Sequence, residues 1–318
     1  MIEAPFGSPA WEKRVLADVE AIEKAGIEEA FAFTARIFTK VTFPHSYRSA
    51  ESGKLTLHNG NMTVTMTNTD GGGLPYGHYA RLIMFWLTRE ASQRHNDENI
   101  ADIDTARVIP LGDSAHRVLR EMGVLKPGQR ACRNHYAALT EQMERLADTT
   151  ISTRYDMSSD SGCGHRKEKT HVADESYFWW QTDNPSGNLG SGSYITLSRE
   201  FFLELAEHAV PLHPLHIAKL YRSPLALDLY AWAAHRIHTH NGDTRVTWQQ
   251  IKGQIGTNYP ETHQGLRDFK KKTRIAIARI ADAWPESGIS EWNGGVRLTG
   301  HVTPVHPKIT PPPAEPRF

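Results

Sequence analysis

The amino-acid sequence predicts an α+β protein, mainly helical, with two winged-helix domains in tandem after an N-terminal helix and hairpin extension. A winged helix is a helix-turn-helix followed by a β-hairpin, the wing. The segment from Arg245 to Leu298 predicts one such domain, because a short strand and helix, a long basic helix and a hairpin tipped by Asn-Gly-Gly follow in order. The preceding half repeats this order, since the helical patterns at 74–92 and 134–148 correspond to those at 223–240 and 263–284.

The N-terminal extension, residues 1–72, is predicted to contain a helix and a hairpin. A Ser-Pro pair at 8–9 supplies an N-cap and a first-turn proline, and an apolar stripe continues to about residue 25. Apolar residues alternate with Thr on both sides of an Asn-Gly pair at 59–60, which predicts a hairpin with one face in water. The glycine triplet at 71–73 lacks the Lys-Ser/Thr pair of a phosphate loop, so we interpret it as a flexible turn.

The first winged-helix domain is predicted to span residues 73–210. After the helix at 74–92, the sequence predicts a short strand at ENIADID, a helix stopped at Gly123, the helix NHYAALTEQMERLAD and a strand at TTISTRYDM. The polar segment SSDSGCGHRKEK is predicted to be the wing loop, with HVADESYFWW as the return strand. A strand at SYITLS and a helix at REFFLELAEH end the domain before Pro211.

The second domain is predicted to span residues 211–300 and to contain the long basic helix. One face of that helix is apolar at spacings of three and four, which predicts burial of Leu266, Phe269, Thr273, Ile277, Ile280 and Trp284. Another face is cationic, with Arg267, Lys270, Lys271 and Arg274. The remaining residues, 301–318, are rich in proline and are predicted to be disordered.

Composition is globular, and charge is unevenly distributed along the chain. The 318 residues are 39% hydrophobic and 23% charged, with a formal net charge of zero. Between Leu215 and Trp284, however, eleven Lys and Arg stand against five Asp and Glu. A basic segment in a neutral chain favours binding of a polyanion there. Two cysteines and the lack of a signal peptide or an apolar span predict a cytoplasmic protein without membrane contact.

We expect no enzyme activity, no metal and no cofactor. The sequence contains no Gly-x-Ser-x-Gly, no Walker lysine and no paired acidic cluster. Cys132-x-x-His135 and Cys163-x-His165 could supply four zinc ligands, but the second pair lies in a predicted loop and lacks the usual spacing. His238-Thr239-His240 resembles the paired histidines of rolling-circle nickases, which leaves a metal-dependent nickase as one alternative.

The basic helix is predicted to be the recognition helix for double-stranded DNA. His263, Gln264, Arg267 and Lys271 occupy its N-terminal turns, where base edges are read; Arg267 suits guanine and Gln264 suits adenine. Phosphate contacts are predicted for further cations of the helix, strand and wings: Lys270, Lys272, Arg274, Arg245, Arg297, Arg166, Lys167 and Lys169. The corresponding helix of the first domain mixes its cations with Glu and Asp, so that domain is predicted to contact DNA weakly and to self-associate.

Three motifs resemble the plasmid-encoded replication initiators called the RepA family. They are Gly-Leu-Pro-Tyr-Gly at 73–77 with the Tyr-Ala-Arg and Trp-Leu that follow, Ser-Pro-Leu-Ala-Leu-Asp-Leu-Tyr-Ala-Trp at 223–232, and Leu-Arg-Asp-Phe-Lys-Lys at 266–271. The likeness covers roughly residues 30–298. The histidine-rich end of the helix at 223–240 departs from the more basic sequence usual there.

The resemblance implies a protein that binds repeats, or iterons, in a plasmid origin and starts replication with host initiation and helicase-loading proteins. It also implies two winged-helix domains, a homodimer and repression of the protein's own gene. The resemblance places Arg267, Lys270 and Lys271 on the origin-reading helix, in agreement with the charge pattern. A transcriptional regulator of the same architecture remains the second alternative.

Overall fold

The protein is a mixed α/β structure whose sheets are antiparallel. The computed structural model describes residues 32–35, 42–111, 115–125, 128–159, 162–178, 192–239, 243–256 and 259–304. The predicted helix after the Ser-Pro pair at 8–9 and the proline-rich tail beyond residue 304 lie outside these ranges.

The helices of the described residues are α1 (Tyr47–Ala50), α2 (Gly77–His95), α3 (Ile103–Ala106), α4 (Ala115–Glu121), α5 (Arg133–Ala147), α6 (Arg199–Glu207), α7 (Pro214–Leu220), α8 (Pro224–Thr239), α9 (Trp248–Ile255) and α10 (His263–Ala283). The strands are β1 (Ala32–Ala35), β2 (Lys54–Asn59), β3 (Met62–Asn68), β4 (Val108–Pro110), β5 (Thr149–Ser159), β6 (Gly162–His171), β7 (Ala173–Tyr177), β8 (Tyr194–Leu197), β9 (Ala209–Leu212), β10 (Thr244–Thr247), β11 (Ile289–Trp292) and β12 (Gly295–Leu298).

The strands form four small sheets. Their orders are β2-β3-β5-β6, β4-β8-β7, β10-β12-β11 and the pair β1-β9. The predicted hairpin at 54–68 is confirmed, with Asn59 opposite Met62 and Gly60 at φ 62° in the turn. The hairpin at the end of the basic segment is confirmed as β11-β12, where Trp292 lies opposite Gly295. The long helices predicted from apolar periodicity are confirmed as α2, α5, α6, α8 and α10.

Two predicted elements are wrong. The segment ENIADID forms no strand; Asp102 instead caps the short helix α3 by accepting a hydrogen bond from the backbone N–H of Thr105. The predicted wing loop SSDSGCGHRKEK largely belongs to strand β6, which pairs with β5 from Ser159–Gly162 to Thr150–His171. A strand with both faces in water needs no apolar residues, so polarity alone did not distinguish this ribbon from a loop. The predicted return strand is β7, in a different sheet.

One buried cluster of side chains runs through both halves of the chain. The strand β9, which crosses the predicted domain boundary at 210–211, pairs with β1 over Ala32–Ala35. The helix α2 of the first half also contacts α8 of the second. The division into domains stays a prediction, and these contacts show how closely its two parts are joined.

A buried ion pair lies at this junction. Arg81 on α2 donates from Nε and Nη2 to the two carboxylate oxygens of Asp228 on α8, at 3.0 and 2.8 Å. Its remaining N–H groups donate to the Thr42 hydroxyl and to backbone carbonyls, including that of Pro44 at 2.7 Å. His45 Nε2 lies 2.9 Å from the same carboxylate. Burial alone would raise the pKa of Asp228, but Arg81 and His45 bring it below its usual value.

Candidate nucleic-acid interface

The start of α10 is set by close packing of the turn that precedes it. Thr262 caps the helix by accepting a hydrogen bond from the backbone N–H of Gly265 at 3.0 Å. A Cβ on Gly265 would lie 2.1 Å from the carbonyl oxygen of Pro260, so no other residue fits without moving the turn. Before this turn, α9 begins with a capping box in which the Thr247 and Gln250 side chains each bond the other's backbone.

The apolar face of α10 is buried as predicted, and this fixes the side that faces water. Phe269, Thr273, Ile280 and Trp284 are at most 2% exposed, whereas Leu266 is only partly buried. The Phe269 ring packs edge-on against the Tyr259 ring, with their centroids 5.3 Å apart. The helix lies against α7 and α8 on this side.

Three cations on the opposite face have no ion pair with any other described residue: Arg267, Lys271 and Lys272. All three are exposed, as is His263 at the first position of the helix. Unpaired cations can neutralise phosphates without first losing an intramolecular partner. We call Arg267, Lys271 and Lys272 the free cationic row of α10.

The other predicted residues of α10 already have partners. Gln264 donates to the Asp268 carboxylate at 2.9 Å, so reading a base requires that this bond be exchanged. Lys270 Nζ lies 5.8 Å from the centre of the Trp248 ring. Arg274 donates from Nε and Nη2 to both oxygens of Glu291 on β11, each at 2.8 Å. This bidentate pair raises the pKa of Arg274 and lowers that of Glu291.

The cations predicted on the strand and in the wing, Arg245 and Arg297, are also paired with a carboxylate. Arg245 on β10 lies directly across from Arg297 on β12. Both donate to Asp243, Arg297 through two bonds of 2.9 Å and Arg245 through one of 2.9 Å. Hydrogen bonds from Arg297 and then Arg245 lower the pKa of Asp243. Asp243 therefore holds two neighbouring guanidinium groups at the base of the wing.

The corresponding helix of the first half, α5, has no free cationic row. Arg145 is only 11% exposed, pairs with Glu141 at 3.0 Å and lies 5.4 Å and 5.2 Å from the ring centres of Tyr47 and Tyr76. A Cβ on Gly73, whose φ is +83°, would lie 2.5 Å from Arg145 Nη1, so the glycine makes room for the guanidinium. At the other end of α5, His135 Nδ1 accepts from the Cys132 backbone N–H.

The three cations predicted for the first wing lie on strand β6, and the pleat separates them. Arg166 is opposite Tyr155, whereas Lys167 is opposite Arg154 and Lys169 is opposite Ser152. Neighbouring residues of a strand point to opposite faces, so Arg166 shares its face with Glu168, to which it is paired at 2.5 Å. Lys167 and Lys169 lie together on the other face.

Additional cations on that second face were missed by the sequence reasoning. Arg154 lies opposite both Thr63 and Lys167, and Lys54 begins the outer strand β2 on the same face. The sequence does indicate this face, because every second residue is polar in KLTLH at 54–58 and in MTVTMT at 62–67.

Of the candidate metal ligands, Cys132 and His135 lie together, with Cys132 Sγ 3.5 Å from His135 Nδ1. Among the described residues, no group of three or more His, Cys, Asp or Glu side chains has a geometry that could hold a metal ion. The Cys163 side chain and His240 lie outside the described residues, and His238 is on α8. No helix in the described part of the chain is long and apolar enough to cross a membrane.

Comparisons with known proteins support the family and the fold. The family model described as plasmid-encoded RepA protein matches residues 74–250. No curated protein matches the chain. A selenomethionine crystal structure of domains 2 and 3 of RctB has a similar fold, with a TM-score of 0.51 and 11% identity over 84% of this chain and 97% of that one. Another crystal structure of RctB domains 2–3 gives a TM-score of 0.47 and 12% identity over 82% and 93%.

Proposed function

Since the RepA family model spans residues 74–250, the chain belongs to the plasmid-encoded RepA family of replication initiators, and we propose that it starts replication by reading repeated sequences in a plasmid origin. In this proposal residues 211–300 form a winged-helix domain with α10 as the recognition helix and β11-β12 as the wing. Residues 73–210 form a second winged-helix domain that contacts DNA less strongly.

The observation that carries the proposal is the free cationic row of α10. Its cations stand on a helix whose other face is buried in the core, so the backbone positions from which they extend are fixed before any ligand arrives. A rigid helix with exposed, unpaired Arg and Lys suits the major groove of duplex DNA, where base edges are accessible and phosphates line both sides.

The roles of individual residues follow from their position on α10. Gln264 and Arg267 lie in the first two turns and are proposed to read bases, Arg267 by two hydrogen bonds to guanine. Lys271 and Lys272 are proposed to contact phosphates. Arg274, Arg245 and Arg297 are held by carboxylates on or beside the wing, so they are proposed to contact phosphates only after exchanging those partners.

The initiator is proposed to act in the cytoplasm without enzyme activity, metal or cofactor. Strand opening is assigned to host initiation and helicase-loading proteins that it recruits at the origin. A homodimer of the same chain is proposed to repress its own gene. These assignments extend the family relationship.

Two measurements test the proposal. A footprint of the purified chain on the DNA that flanks its gene should show protection at regular repeats. Binding to one repeat should weaken with salt at a slope of about −4 to −5 in log K against log salt if about five phosphates are contacted. Uniform binding of all sequences would contradict the reading role.

A second candidate, a transcriptional regulator of the same architecture, is favoured by the same α10 geometry. It is distinguished by a plasmid that carries only this gene and its flanking repeats. Replication of that plasmid supports the initiator. Failure to replicate, with repression of the promoter intact, supports the regulator.

A further inference from the structure

A groove lies between helix α6 and the core-facing side of the four-stranded sheet β2-β3-β5-β6. Its volume is about 510 Å³, and its walls are strand β6 at 168–170 and the first two turns of α6. The floor is apolar, since Met62, Ile151 and Phe201 are at most 5% exposed and Tyr155 is partly buried. The volume lies within the roughly 300–1,000 Å³ of ligand pockets. We call this feature the sheet–helix groove.

The two walls of the sheet–helix groove are tied to each other at one end. Ser198, the N-cap of α6, donates from its backbone N–H to the Val172 carbonyl at 3.1 Å and from its hydroxyl to the His171 carbonyl. The same hydroxyl accepts a hydrogen bond from the backbone N–H of Phe201, which starts the helix. These bonds set the first turn of α6 directly beyond the end of β6, so the groove is formed before any ligand binds.

The helix wall of the groove is acidic. Glu200 and Glu204 of α6 both line it, because residues four positions apart lie on one face of a helix. Glu200 is exposed and has no ion pair with another residue of the described chain. Glu204 lies 4.0 Å from Nε2 of His208, a contact that is ionic only when the histidine is protonated. This wall therefore presents two carboxylates beside the apolar floor.

The strand wall adds a third carboxylate. Glu168 lines the groove and is paired with Arg166 on the same face of β6. Lys169 also borders the groove, but its side chain extends from the other face of the sheet, because neighbouring residues of a strand alternate. The groove thus has carboxylates on both walls, and Arg166 offsets one of the three.

This combination of charge and apolar surface suits a basic peptide. The carboxylates of both walls repel phosphates, so the groove is a poor surface for DNA. An apolar side chain can be buried against the floor while Lys or Arg beside it in the same segment pairs with the walls. A groove that runs between a strand and a helix and is open to water along its length accommodates an extended segment of a protein chain.

We propose that the sheet–helix groove binds a partner protein through a linear segment in which an aliphatic or aromatic side chain is flanked by Lys or Arg. The inference goes beyond the proposed function, because it concerns a protein ligand and a different surface from the free cationic row of α10. The chain has a formal net charge of zero, yet its cations are available on α10 and its carboxylates gather at this groove. It thereby separates a surface for nucleic acid from a surface for protein.

The test uses a phage-displayed library of short random peptides, with the purified full chain as bait and no DNA present. The groove variant is Glu200→Lys/Glu204→Lys. The matched control, Glu51→Lys/Glu98→Lys, makes the same change of charge at two exposed carboxylates that do not line the groove. The consensus peptide is then synthesised with a fluorescein label, and fluorescence anisotropy gives its Kd for each form of the chain.

Selection on the unmodified chain should enrich an apolar residue flanked by Lys or Arg. The consensus peptide should bind the groove variant about 10-fold or more weakly, because two attractive charges become repulsive, and should bind the control about as well as the unmodified chain. Tyr155→Ala should also weaken binding, since it removes part of the floor without changing charge. A scrambled peptide of the same composition should bind more weakly than the consensus.

Several outcomes overturn the inference. They are equal weakening in the groove variant and the control, a consensus without Lys or Arg, and the lack of any consensus that depends on the groove. If sedimentation velocity shows a dimer for the unmodified chain and a monomer for the groove variant, a second copy fills the groove, and the inference also fails. If the groove variant loses its far-ultraviolet circular dichroism, Glu200→Gln/Glu204→Gln takes its place under the same criteria.

The peptide measurement is independent of the proposed function. Because the selection contains no DNA, failure of the chain to read repeats leaves this test intact. Normal footprints on the repeats by the groove variant, together with unchanged peptide binding, would leave the reading role standing and reject the groove.

Discussion

The sequence predicts that helices α5 and α10 correspond in the two halves of the chain, yet Arg145 of α5 and Arg267 of α10 lie in different surroundings. Arg145 of α5 lies against the rings of Tyr47 and Tyr76, which are in edge-to-face contact with each other, and donates to the Leu74 carbonyl at 3.3 Å. Arg267 of α10 is exposed and has no ion pair with another described residue. The difference teaches that a cation's availability for a ligand is decided by what surrounds it, and that a helix position alone does not determine it.

The two halves of the chain are joined by the buried ion pair between Arg81 and Asp228, and removing this pair should have the largest effect. Asp228→Ala leaves the Arg81 guanidinium buried without its counter-charge, so we expect the free energy of unfolding to fall by about 3–5 kcal/mol. Urea unfolding followed by tryptophan fluorescence measures this. Asp104→Ala, which removes an exposed partner of Arg107, serves as the control and should change little. A loss for Asp228→Ala no greater than for Asp104→Ala would contradict the structural role.

Substituting the two arginines in turn tests the comparison directly. Arg145→Ala should lower the free energy of unfolding by about 1.5–3 kcal/mol, because charge-assisted bonds are lost in a largely buried site. It should leave the salt slope of DNA binding unchanged. Arg267→Ala should weaken binding to the repeat by about 1–3 kcal/mol and relax one base position, without changing the unfolding midpoint. The reverse pattern in either variant would show that the two helices are assigned the wrong way round.

A half-buried histidine beside the end of α10 should make the free energy of unfolding depend on pH. His216 on α7 stacks on Trp284, with ring centres 6.2 Å apart, and burial, with smaller effects from His213 and Lys219, lowers its pKa to about 3. The unfolded chain takes up this proton near the ordinary value of 6.5, so the stabilisation is complete above that pH and is lost as pH falls from about 6.5 towards 3.

Below pH 6.5 the free energy of unfolding should therefore fall less steeply with decreasing pH in His216→Asn than in the unmodified chain. The two slopes should differ by a fraction of the roughly 1.4 kcal/mol per pH unit that one proton gives. Urea unfolding at pH 7.0, 6.0 and 5.0 measures the slope. His95→Asn replaces an exposed histidine and should leave the slope as it was. Parallel slopes for the unmodified chain and His216→Asn would contradict the role of His216.

The mildest test converts a paired arginine of α10 into a free one. Glu291→Gln removes the carboxylate that holds Arg274, so affinity for the repeat should rise a few-fold at low salt and the salt slope should steepen by about 0.9. Asp282→Asn removes an exposed carboxylate from the end of the same helix and controls for the change in net charge. Weaker binding by Glu291→Gln would mean that the wing must hold Arg274 in place for it to contact DNA.

Much of the fold could be predicted from local patterns. Apolar spacing of three and four located α2, α5, α8 and α10, and Asn-Gly pairs located two hairpins, because these signals depend on residues close in sequence. The sequence predicts a loop at the segment that forms β6, since its polar residues carry no periodic apolar signal. A strand that pairs on one side and meets water on both faces is specified by its partner β5 and by little within itself.

The sequence predicts a candidate site on α10, but it does not show which of the cations there are paired. Charge concentration identified α10, but it could not distinguish the free Arg267 from Arg274, whose partner Glu291 is 17 residues away in the wing. Nor could it separate Arg166 from Lys167 on β6, because the face that each occupies depends on the register with β5. Partners distant in sequence decide which cations remain available.

The ion pair between Arg81 and Asp228 also imposes an order on events during synthesis. Its two residues are 147 positions apart, and at about 5–20 residues per second a ribosome needs roughly 7–30 seconds to add that length. Throughout this time the first half of the nascent chain has Arg81 without its carboxylate, and for most of it β1 is without β9, which is made shortly before Asp228. The first half therefore waits in an incomplete state for α8 to emerge, and a chain cut short before Asp228 can never close it.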